Sequence, residues 1–134
     1  NTYLKNNLHD FMGEIFEDMC RYYVLSHGLD GKLKCMTTNV GKWWGMGHDR
    51  IPTDIDVVGI DEIGKKVILG ECKFKNEQID KPVYEDLMNR EGLIDRKYEV
   101  VQYMYFSLTG FSKWVVENAD AEKVSLLTLD DLYS

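Results

Sequence analysis

The sequence predicts an α/β domain in which a mixed β-sheet is flanked by α-helices. Three observations carry this: a long stretch of helical periodicity near the start, a series of β-favouring runs with one tight-turn signal between them, and shorter helical segments interleaved with the later strands. The order reads helix, three strands, helix, strand, helix, then a short strand and a helical turn. No internal repeat, low-complexity tract or linker interrupts the 134 residues, so a single domain over residues 1–134 is expected.

Over residues 8–25, Leu8, Phe11, Met12, Ile15, Phe16, Met19, Tyr22 and Tyr23 recur at intervals of three and four, the mark of an amphipathic helix. Gly28, in a left-handed conformation, is expected to end it. Residues 36–44 are rich in β-favouring types and suggest a first strand running into the Gly-rich stretch 45–50. Two further runs, 53–60 and 66–74, flank the turn-like Asp61-Glu62-Ile63-Gly64-Lys65 and give a β-hairpin signal. A turn centred between Ile63 and Gly64 pairs residues whose numbers sum to 127, so Ile60 faces Val67, Val58 faces Leu69 and Asp56 faces Glu71. Residues 83–91 read as a helix after Pro82, 98–108 as an aromatic and β-branched strand, 112–118 as a helix and 124–127 as a short strand.

With 44% apolar residues the chain can bury about two-thirds of its unfolded surface without disulfides or a structural metal. No apolar run approaches the roughly 18 residues of a membrane span, so a protein without a membrane partner is expected. The odd, widely spaced Cys20, Cys35 and Cys72 fit a reducing cytoplasm and share no zinc-type spacing with His9, His27 and His48. A formal charge of −7 argues against a protein that coats nucleic acid with Lys and Arg. It does not exclude an enzyme whose carboxylates hold divalent cations. The absence of a G-x4-G-K-[ST] motif excludes ATP binding through a P-loop.

Strand alternation places Asp54, Asp56, Val58 and Ile60 on one face of the hairpin, and Val67, Leu69, Glu71 and Lys73 on the matching face of its partner. That face is apolar at the turn and ionic at the open end. Two carboxylates a few ångströms apart repel unless a cation or a proton stands between them, and hard oxygen ligands select Mg²⁺ or Mn²⁺ over zinc. Such an ion activates water and braces a phosphoryl oxygen while the Lys73 ammonium stabilises developing charge. The competing explanation is a structural cross-strand salt-bridge cluster. In 41–45 (GKWWG) one Trp is expected in the core and the other at a rim, with base stacking as the alternative. Lys32, Lys34, Lys42 and Arg50 read as ordinary surface charge, with phosphate contact as the alternative.

A helix bearing Glu, then I-D-V-V at 55–58 and G-E-C-K at 70–73, resembles the PD-(D/E)xK nuclease superfamily of restriction-endonuclease-like proteins. With G-K-W-W-G ahead of them, the motifs are closer still to the DUF234-like C-terminal domain of uncharacterised function that follows the ATPase domain of archaeal-type ATPases. The resemblance runs over about residues 11–74. It implies a restriction-endonuclease-like sheet, Asp56 and Glu71 as metal ligands with the Cys72 carbonyl as a third contact, and Lys73 as catalytic lysine. Gly13 stands four residues before Glu17, as superfamily members often show, so Glu17 is chosen as the helix acid, with Glu14 second and Asp54 as a competing ligand.

The expected function is therefore a Mg²⁺- or Mn²⁺-dependent nuclease domain acting on nucleic acid, DNA in the first instance. The chain begins with Asn in helical sequence, so a C-terminal fragment of a longer ATPase is expected, its N-terminal ATPase domain lying outside this chain. A homodimer is expected if both strands of a duplex are cut. The alternative is a non-catalytic accessory domain that docks on the ATPase or binds nucleic acid.

Overall fold

A computed structural model of the protein describes residues 2–133, with side chains over residues 7–133. Helix α1 (Thr2–Leu29) precedes three antiparallel strands, β1 (Asn39–Met46), β2 (Pro52–Asp61) and β3 (Lys66–Lys73). Helix α2 (Lys81–Asn89) leads to β4 (Glu99–Ser107), and α3 (Lys113–Asn118) to β5 (Val124–Thr128), both strands parallel to β3. A 3₁₀ turn (Leu129–Tyr133) closes the described chain, and the sheet order is β1-β2-β3-β4-β5. This is the mixed α/β sheet flanked by helices that the sequence predicts.

Each face of the sheet has its own core. On one, Val57, Ile68, Met104 and Phe106 pack against Phe16, Cys20 and Val24 of α1, with Leu129 and Leu132 at the margin. On the other, Ile55, Val58, Leu69, Tyr103 and Tyr105 pack against Tyr84 and Leu87 of α2 and Val115 of α3. The expected core role of the β4 aromatics and Met104 holds, since Met104 and Tyr105 are almost fully buried.

The hairpin register is as read from the turn: Ile60 pairs with Val67 and Val58 with Leu69. Lys65 takes the left-handed conformation (φ 56°), and the Gly64 N–H donates to Asp61 Oδ1 at 2.8 Å. Helix α2 starts earlier than the periodicity suggests because the Asp80 carboxylate accepts from the Lys81 N–H at 2.7 Å and Pro82 suits the first turn. Ser112 caps α3 by accepting from Val115 N–H, and its hydroxyl donates to Asp80 at 2.8 Å, joining the two helix starts.

The end of α1 corrects the expectation for Gly28. The helix continues to Leu29, and it is Gly31 (φ 74°) that turns left-handed, with Lys32 N–H donating to His27 O at 2.9 Å. Gly28 is instead needed inside the helix because a Cβ there would overlap the Thr37 hydroxyl. That hydroxyl donates to Val24 O at 3.0 Å and ties the segment before β1 to the helix.

Candidate active site at the fork of the central strands

The β2/β3 ladder ends at the rung Val57–Gly70. Asp56 and Glu71 are the first residues beyond it, where the strands part, and the Cys72 N–H donates to Asp56 Oδ2 at 3.0 Å. The sequence-derived pairing therefore places both acids at the fork, although no rung joins them.

Strict alternation fails on β2. Its register against β1 steps from Gly41–Val58 to Trp43–Ile55, so Asp56 and Val57 together stand opposite Lys42 in a β-bulge. Ile55 and Val58 consequently enter the same core while Val57 enters the other. The expected common face of Asp54, Asp56 and Val58 is thereby broken, because an extra residue in a strand reverses which side its continuation faces. From α1, Arg21 donates to the Asp56 backbone carbonyl at 2.8 Å and holds the bulge.

Lys42 lies at the centre of the α1 side of the fork. Its ammonium is 3.3 Å from Glu17 Oε1, 3.6 Å from Asp54 Oδ2 and 3.8 Å from Asp56 Oδ1. Burial alone would lower its pKa, but these three carboxylates together raise it. The reading of Lys42 as ordinary surface charge is corrected: the alternation of β1 puts it on the α1 side with Val40, and the bulge in β2 sets Asp56 opposite it. Glu17 is half-buried and also meets Arg21 at 3.5 Å, whereas Glu14 is exposed.

Glu71 accepts from Arg90 at 2.8 Å, and the same guanidinium donates to the Asp54 carbonyl at 3.0 Å. Burial, reinforced by the Asp56 charge, pushes the Glu71 carboxyl up to about 7 despite Arg90. Asp56 is also raised, chiefly by burial; the Cys72 N–H and Lys42 oppose the shift, while Glu17 and Asp54 add to it. Lys73 departs from the expected convergence. Its ammonium pairs with Glu77 at 3.3 Å, a partner four residues along the chain. The Cys72 thiol meets that of Cys20 from α1 and is raised mainly by burial.

Trp43 packs against the core and Trp44 is 70% exposed, the core-and-rim division expected of the pair. A cleft of about 430 Å³ opens beside the fork, lined by His48 of the β1–β2 loop, by Thr53 near the start of β2 and by Asp86, Asn89 and Arg90 of the α2 end. His48 Nε2 lies 2.9 Å from Glu91 O across its rim. Sequence reasoning missed Arg21, Lys42 and Arg90 as site residues. Arg21 carried a local signal, standing four residues after Glu17 on a helix; Arg90 carried none, because its partners belong to strands distant in sequence.

Among the described residues, no three His, Cys, Asp or Glu side chains converge as a metal cage. The two carboxylates at the fork belong to the hard-oxygen class that Mg²⁺ and Mn²⁺ prefer over zinc, and each already meets a cation, Asp56 the Lys42 ammonium and Glu71 the Arg90 guanidinium. Among those residues there is also no helix long and apolar enough to cross a membrane.

Comparison with known proteins adds a family. DUF234, archaeal and bacterial proteins of unknown function, matches residues 2–91. The chain is 24% identical over 120 residues to the uncharacterized protein MJECL04 of Methanocaldococcus jannaschii, an alignment covering 87% of this chain and 25% of that protein. The chain thus spans about a quarter of the relative's length. No solved structure matches.

Proposed function

The chain belongs to the DUF234 family, and we propose that it is a metal-dependent nuclease domain hydrolysing DNA phosphodiester bonds, with Asp56 and Glu71 as ligands of Mg²⁺ or Mn²⁺. The observation that carries this reading is the fork: two carboxylates just past the last rung of adjacent strands, both made less acidic by burial. Each ionises at a cost that a nearby cation would remove. A divalent ion bound there would polarise a phosphoryl oxygen and acidify a coordinated water.

The chain's own residues supply the remainder. Glu17, tied to Arg21 and Lys42, orients the acidic side of the site. Lys73 shares the strand face of Glu71, two residues on. Its pair with the exposed Glu77 is of a kind worth about 1 kcal/mol at most, so the ammonium is free to turn to a phosphate. Arg90, lining the cleft and contacting Glu71, joins the path of a phosphate backbone to the fork. The reading extends to an attached ATPase domain, for which a relative about four times as long has room; to a cytoplasmic setting, consistent with three free cysteines; and to a homodimer for double-strand cutting.

Calorimetry with Mn²⁺, paired with incubation on linear, branched and single-stranded DNA, tests the proposal. The expected result is metal binding lost in Asp56→Ala and cleavage lost in Asp56→Ala, Glu71→Gln and Lys73→Ala. A second reading, a non-catalytic accessory domain, is favoured by Lys42 already lying among the acids and Lys73 lying on Glu77. Absence of both metal heat and cleavage would select it.

A further inference from the structure

We propose that Lys42 is a positioning residue serving as the resident counter-ion of this site: it holds the carboxylates in place without metal and competes with a divalent cation for Asp56. The inference rests on the nuclease reading in taking Asp56 as a metal ligand.

Three features converge on Lys42. The β-bulge sets one β1 residue against two of β2, and that residue is Lys42. Its ammonium lies within 3.8 Å of carboxylates from both α1 and β2, so one charge neutralises part of three. Arg21 separately anchors Glu17 and the Asp56 carbonyl, and the Cys72 N–H holds the Asp56 carboxylate, so these two acids keep a partner when Lys42 moves.

A second resting place adjoins the first. The exposed Trp44 ring lies 5.8 Å from the same ammonium, within the range of a cation–π contact. A four-carbon stem with rotatable bonds can carry the charge from the carboxylates toward this ring. A divalent ion entering beside Asp56 repels the ammonium and takes over its work of neutralisation. Lys42 thereby couples the arrival of metal to a free ammonium at the solvent side of the fork.

The test is Mn²⁺ titration of the whole chain by calorimetry. Lys42→Met should bind Mn²⁺ roughly tenfold more tightly than the wild type, since it removes a competitor and leaves the acids. Lys42→Arg keeps the charge and should stay within about threefold of the wild type. Lys113→Met removes a charge from an exposed surface pair and should shift affinity by less than about twofold. Without metal, Lys42→Met should melt lower than the wild type, and Mn²⁺ should raise its Tm by a larger increment. Equal affinities in the wild type and Lys42→Met overturn the proposal while leaving the nuclease reading standing. Failure of both to bind Mn²⁺ overturns the two together, whereas a silent wild type beside a binding Lys42→Met supports the resident counter-ion. Should Lys42→Met fail to fold, lysine acetylation of the wild type decides: saturating Mn²⁺ should raise labelling of Lys42 and leave Lys113 unchanged. Unaltered Lys42 labelling overturns the proposal.

Discussion

At Glu71, folding and ionisation oppose each other. Its carboxyl ordinarily loses its proton near 4.5, and in the fold near 7, because burial and the Asp56 charge disfavour the anion. A pKa raised on folding gives stability that is complete below the unfolded value and is lost as pH climbs through the folded one. Metal-free protein should therefore resist urea better at about pH 4.5 than at about pH 8, by on the order of 2 kcal/mol. Glu71→Gln should flatten that pH slope, and an unflattened slope would assign it to other groups. The acids themselves were legible in the sequence through their strand spacing. Their cations were not, since Lys42 and Arg90 meet them only after strands and a helix far apart in the chain have packed.

Among the elements, the end of α1 shows how a glycine can be right in position and wrong in role. Gly28 lies inside the helix for contact with the buried Thr37, while Gly31 makes the turn. Gly28→Ala should cost about 1–3 kcal/mol by denaturant midpoint, because the clash falls on a buried hydrogen-bonded group. Gly31→Ala, with open space around its Cβ position, should cost only about 1–2 kcal/mol, the penalty of the left-handed conformation. The hairpin register was readable from the turn to the Val57–Gly70 rung because it depends on one local turn. The bulge was not, since it is a mismatch between β2 and a neighbouring strand rather than a property of either run.

Over the whole molecule, the sequence and the packing divide the apolar face of α1 differently. Phe16, Cys20 and Val24 are buried against the sheet, but Phe11 is 60% exposed, as is much of Leu8, Met12, Ile15 and Tyr22. Periodicity reports amphipathicity without saying how far along a helix the sheet extends. Phe11→Ser should therefore change the urea midpoint by less than the equivalent of about 0.5 kcal/mol. Leu87→Ala, at a fully buried position of α2, should lose about 2–5 kcal/mol. Similar losses at the two positions would show that the helix face is covered in solution.

The sequence by itself determined the layered α/β class, the element order, the hairpin register near the turn and the candidacy of Asp56 and Glu71, whereas Glu17 was chosen through a family resemblance. The former depend on period, turn chemistry and spacing, all of which are local. Tertiary structure alone decided that Lys42 stands among the acids, that Arg90 holds Glu71, and that Lys73 turns to Glu77. The physical reason is that charges choose partners by distance in space, and a single extra residue in β2 changes which side chains share a face.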